Sequence, residues 1–117
     1  MQDIASLCSA RGIHHVGIAV RDLEQGAALY QRLFGLEPGS VVELPQHGVR
    51  AVMLAAGGQH LALLQPLGPE SSVARFLERR GEGLHHLALE VPDIRAALKA
   101  LREGGVELID QEPRQGL

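Results

Sequence analysis

The sequence predicts an α+β fold built from two copies of one strand-helix module, and three observations carry that expectation. Ile13-His14-His15-Val16-Gly17-Ile18-Ala19-Val20 and Leu84-His85-His86-Leu87-Ala88-Leu89-Glu90-Val91 are near-identical. An aspartate follows each, Asp22 or Asp93, placed to cap an apolar run of helical period. Three short β-like segments, divided by turn residues, come after the first helix.

Length and composition narrow the class further. With 117 residues, 45% of them hydrophobic, the chain fits a single soluble domain with a modest core. Aromatics are only 3%, so that core must come from Leu, Val, Ile and Ala. A net charge of −3 and scattered arginines exclude a nucleic-acid stripe. No apolar run approaches the roughly 18 residues of a spanning helix, so no membrane role is expected. The lone Cys8 cannot form an internal disulfide, and the start has neither the basic residues nor the apolar run of a secretion signal. A cytoplasmic location is the expectation.

Residues 1–12, with an apolar patch at 4–7, read as a loosely attached lead-in. Residues 13–20 alternate as a strand, with Ile13, His15, Gly17 and Ala19 on one face and His14, Val16, Ile18 and Val20 on the other. Asp22 then caps a helix whose Leu23, Ala27, Tyr30 and Phe34 form one stripe, and Gly35 stops it. Strands are expected at 39–44, 49–56 and 60–64, joined into two hairpins by Pro45-Gln46-His47-Gly48 and Gly57-Gly58. Pro66-Leu67-Gly68-Pro69 breaks the sheet, and Ser71 or Ser72 caps a short helix over 73–80. The second copy gives a strand from Leu84 and a helix after Asp93 with Ile94, Ala97, Leu98 and Leu101 on one side. Gly104-Gly105 ends that helix before a strand at 106–109. The first copy thus carries three strands after its helix, whereas the second has room for one.

Strand, helix and three strands, given twice, resemble the βαβββ layout of the vicinal oxygen chelate superfamily, home to glyoxalase I, extradiol dioxygenases and fosfomycin-resistance proteins. Within it the chain is most similar to the methylmalonyl-CoA epimerases. The likeness rests on the first His-His strand and on Leu44-Pro45-Gln46-His47-Gly48-Val49, Leu63-Leu64-Gln65-Pro66-Leu67-Gly68 and Ser71-Ser72-Val73-Ala74-Arg75-Phe76-Leu77. The run from Gly81 to Val91 completes it, and the match spans residues 13–117. The resemblance implies tandem βαβββ modules in a curved mixed sheet around a cleft, as one domain. Residues 13–68 would be the first module, 69–83 a linker helix, and 84–117 a second module cut short at its C-terminus. It also implies a homodimer acting on an acyl-CoA, by a metal-assisted 1,1-proton transfer that interconverts (R)- and (S)-methylmalonyl-CoA through an enediolate.

The second histidine of each pair is a divalent-metal ligand in that family, which points to His15 and His86, with cobalt expected and zinc, nickel or manganese as alternatives. The residues themselves agree. Two imidazoles on small-residue faces of equivalent strands, 71 residues apart, can meet over a floor of Gly17, Ala19 and Ala88. A single inward histidine is more often a hydrogen-bonded core residue, but duplication in matched registers favours ligation. His14 and His85 fall on the opposite face and receive no catalytic role.

The family pattern also predicts what is missing. Ala62 stands where relatives place a Gln or Glu ligand, and Ala51 where some place a catalytic Glu; the family's last glutamate would lie past Leu117. His60, on the Ala62 face and about 6.5 Å along the strand, is a weak substitute ligand. Glu43, near the Leu44-Pro45 turn, is a weak candidate base, and the catalytic residues are otherwise unassigned. Glu90 is about 13 Å from His86 along its strand, too far to share a metal. Arg75, Arg79 and Arg80 suit either CoA phosphates or a solvated helix face. Two other functions suit the same fold: glyoxalase-type isomerisation of a hemithioacetal, and metal-free binding of a small molecule, the latter favoured by Ala51 and Ala62.

Overall fold

A computed structural model describes residues 6–114 and 116–117. The elements run β1 (Gly12–Ala19), α1 (Leu23–Phe34), β2 (Val42–Leu44), β3 (Val49–Ala56), β4 (Gln59–Pro66), α2 (Ser72–Arg80), β5 (Gly83–Glu90) and α3 (Ile94–Glu103). Five strands form one mixed sheet in the order β2-β3-β4-β1-β5. β3 is antiparallel to both β2 and β4, the two expected hairpins, while β4 runs parallel to β1. The first module therefore has its complete βαβββ set.

The larger compact unit, residues 14–88, is a two-faced sheet. On one face Ile18, Val20, Val52, Leu54 and Leu63 form the core with Leu23 and Ala27 of α1. Gly26 lets that helix sit close, since a Cβ there would press on Leu63 and Val20. The opposite face is set by register. His15 pairs with His60, Gly17 with Ala62 and Ala19 with Leu64 across β1 and β4, and the β3 partners of the same β4 residues are Ala55, Met53 and Ala51. Small residues thus dominate this face, and Ala19, Ala51 and Ala62 are fully buried.

Helix ends follow the sequence signals closely. Asp22 accepts from the Gln25 N–H, and Gly35 adopts a φ of 70°, a left-handed stop that favours glycine. Ser71 accepts from the Ala74 N–H to start α2. Gln65 of β4 accepts from the Leu23 N–H at 2.8 Å, satisfying one of the orphan donors of the first turn.

The second unit comprises residues up to 13 and from 89 onward. Asp93 caps α3 through the N–H groups of Arg95 and Ala96. The Arg11 N–H donates to the Glu90 carbonyl at 2.7 Å, and the two side chains pair at 3.3 Å. Leu7 lies against Gly104, and a Cβ there would force the Leu7 methyl groups to shift. The predicted loose lead-in is therefore tied down over residues 7–11; Ile4 and Ala5 of its apolar patch lie outside the described residues.

Four expectations are corrected. The strand expected at 106–109 is irregular chain, with Ile109 99% exposed, because the described residues offer it no ladder partner. The strand expected over 39–44 shrinks to β2, although Pro38 makes an isolated bridge to Leu54. Phe34, counted in the α1 stripe, is 67% exposed at the last position of the helix, where its ring neighbour is Tyr30 of the same helix. On α3 only Ala97 is buried, and Ile94 stays exposed.

Leu63, fully buried between α1 and β3, is the best single probe of this core. Leu63→Ala is expected to cost about 2–5 kcal/mol, read as a drop in the urea midpoint of unfolding.

Candidate metal centre

β1 and β5 each deliver a histidine to the small-residue face, and the two rings meet. His15 Nε2 lies 3.0 Å from His86 Nε2, with the rings edge-on at 85°. The contact depends on Gly17. A Cβ on that residue would overlap three atoms of the His86 imidazole, so the ring crosses β1 only where the backbone carries no side chain. Sequence alone assigned Gly17 to the floor; the structure makes it obligatory.

The remaining histidines gather around this pair. His60 is the register partner of His15 on β4, and the His14 and His60 ring centres are 6.1 Å apart. His14 and His85 were expected on the opposite face, yet their Nδ1 atoms lie 2.8 and 2.9 Å from Nδ1 of His15 and His86. Alternation sets where a Cβ points, but an imidazole is long enough to turn back toward its strand neighbour. His47, in the β2–β3 turn, is near enough to act electrostatically on His86. Five of the six histidines are joined by ring contacts, and His47 acts on His86 through charge. The sequence signal for His47 was only a turn motif, and nothing local linked it to β5.

Burial governs protonation here. His15 is 8% exposed, and desolvation, followed by repulsion from His86, His14 and His60, lowers its pKa to about 4. Desolvation also lowers His86, with smaller contributions from His85 and His47, and it lowers His85. The inner rings are consequently neutral at pH 7, the form in which imidazole ligates a metal. Two nitrogens each about 2.1 Å from one cation, at roughly a right angle, are about 3.0 Å apart, so the observed pair fits two positions of a divalent-metal site. Among the described residues no third His, Cys, Asp or Glu joins them to complete a ligand set. Ala62 pairs with Gly17 and Ala51 with Leu64, on the same face but without donors. Glu43 pairs with Arg50, whose guanidinium reaches back to Glu24 of α1 at 2.8 Å, so this candidate base sits on the helix-bearing face, away from the imidazoles.

Residues 14–117 match the family model of the glyoxalase/bleomycin resistance protein/dioxygenase superfamily. An ethylmalonyl-CoA/methylmalonyl-CoA epimerase of Cereibacter sphaeroides is 41% identical over 106 residues, covering 89% of this chain and 79% of that protein. The chain belongs to the methylmalonyl-CoA epimerase family of this superfamily. The mitochondrial methylmalonyl-CoA epimerase of Bos taurus is 38% identical over 105 residues, or 89% of this chain, and the chain spans 60% of that relative's length. Among solved structures, a methylmalonyl-CoA epimerase in complex with methylmalonyl-CoA and NH4+ superposes with a TM-score of 0.89 at 34% identity, covering 93% of this chain and 80% of that one. The predicted fold class is thereby borne out, with one full module and a second represented by β5 and α3.

Two outcomes follow from the pair. In a strand, alanine normally stabilises relative to glycine by about 0.5–1 kcal/mol. Gly17→Ala should instead displace His86 and weaken cobalt binding by about 10-fold or more, measured by calorimetry. In the cation-free protein, unfolded His15 titrates near 6.5 and folded His15 near about 4, so acid favours the unfolded chain between those values. Stability should hold above about pH 6.5 and fall as pH drops toward about 4, seen as a lower urea midpoint at about pH 5 than at about pH 7.5.

Proposed function

We propose that this chain catalyses the interconversion of (R)- and (S)-methylmalonyl-CoA by 1,1-proton transfer, with a divalent cation held by His15 and His86. The observation that carries this reading is the 3.0 Å Nε2–Nε2 contact, made by matched histidines on two equivalent strands. Family relatives with the same activity support the substrate class. When bound, the cation supplies electrophilic stabilisation of the negative charge that develops on substrate oxygen as the α-proton leaves. The chain's own contribution is positional. Gly17 lets His86 cross β1, the burial of His15 keeps its ring neutral, and the small side chains Ala19, Ala51 and Ala62 leave the sheet face flat. The lone Cys8 supports a reducing, cytoplasmic location, and the resemblance supports a homodimer. Cobalt is the preferred metal on the same basis.

Ala51 and Ala62 favour one competing reading, a metal-free small-molecule binder of the same fold. Metal content separates the two, because protein that retains no cobalt, zinc, nickel or manganese after loading fits only the binder.

Proton exchange at the α-carbon of methylmalonyl-CoA in D₂O tests the activity. His15→Ala and His86→Ala should each slow exchange by about 10²–10³, the scale of losing a stabiliser of developing charge. Wild-type exchange in both variants would sink the assignment.

A further inference from the structure

The outer histidines are the part of the cluster that the proposed reaction does not use. Four rings stand in one symmetric row: His14 Nδ1 to His15 Nδ1 at 2.8 Å, His15 Nε2 to His86 Nε2 at 3.0 Å, and His86 Nδ1 to His85 Nδ1 at 2.9 Å. Both outer rings have further contacts. His85 stands edge-on to Phe76 with centres 5.2 Å apart, and His14 lies beside His60. Both copies of the strand carry the outer histidine as well as the inner one.

We propose that His14 and His85 are positioning residues, each accepting an Nδ1–H from its inner neighbour so that both inner Nε2 lone pairs face a single divalent cation. This rests on the metal reading of the site. A neutral imidazole has one N–H, and placing it on Nδ1 leaves Nε2 bare for ligation. An acceptor at Nδ1 fixes both that tautomer and the ring's rotation, the service a partner hydrogen bond performs for most metal-binding histidines. Histidine has an added property as the partner. Without a cation, one inner Nε2 must carry the proton that joins the central pair, and that ring's Nδ1 then needs a donor. An outer imidazole supplies it by changing tautomer, whereas a backbone carbonyl or an ionised carboxylate only accepts. The row therefore keeps both outer links hydrogen-bonded in both states, and the central link changes from a hydrogen bond to a shared cation.

The test uses the full chain, cobalt affinity by calorimetry, the visible spectrum of bound cobalt, and ¹⁵N chemical shifts of the zinc-loaded protein. His14→Phe and His85→Phe keep the ring shape but remove the acceptor, and each should weaken cobalt binding by about 10–100-fold and alter the cobalt spectrum. His14→Asn and His85→Asn place an amide oxygen near the lost Nδ1 and should restore affinity to within about threefold. In the zinc-loaded wild type, His15 and His86 should carry Nδ1–H while His14 and His85 carry Nε2–H, a readout that needs no variant. Tight wild-type binding that neither Phe substitution weakens, Asn variants as impaired as the Phe variants, or outer rings protonated on Nδ1 would each overturn this inference alone. A wild type that binds neither ion overturns the metal reading and the inference with it.

Discussion

The passage of the His86 ring over the backbone of Gly17 is the constraint on which the site depends. It requires β5 to lie next to β1, and it requires a residue without a Cβ two positions after His15. Register does the rest, since Gly17 stands opposite Ala62 on β4 and Ala62 opposite Met53 on β3. A larger side chain at the crossing point would separate the rings while leaving the ladder intact. The contact is therefore a more sensitive feature than the fold that carries it.

The two faces of the sheet answer to different physics. Large aliphatic residues on one face bury area against α1 and supply the driving force of folding. Small residues on the other bring neighbouring strands' histidines within ring contact, and among the described residues no buried side-chain nitrogen or oxygen lacks a partner. Burial of His15 carries a cost in acid, because its charged form is disfavoured, and the same burial keeps the ring in its ligating form at neutral pH. Stability and site chemistry thus share one cause.

Membership of the epimerase family and the composition of this site point in different directions at two positions. The fold follows the family, while Ala51 and Ala62 occupy a sheet face that lies within the same register network as the histidine pair and carries no donor. His47 and His60 approach the pair from a turn and from the adjacent strand, so the surroundings of the cluster are imidazole-rich and nearly free of carboxylate.

Periodicity and caps made most elements legible in the sequence. Asp22, Gly35, Ser71 and Asp93 mark helix boundaries through hydrogen bonds to residues within four positions, and such local chemistry is written in the local sequence. The duplication placed His15 and His86 in matched strand registers for the same reason, since alternation along a strand is a local property. Three things were decided only by tertiary structure: the obligatory role of Gly17, the arrival of His47, and the turning back of His14 and His85. The first two depend on how distant segments come together, up to 71 positions apart for the ring pair, and the third on how the outer rings turn within the cluster. The loss of the strand at 106–109 has the same origin, because a strand exists only where another segment supplies its hydrogen bonds. The sequence by itself determined which side chains are available, and pairing of distant strands decided which of them touch.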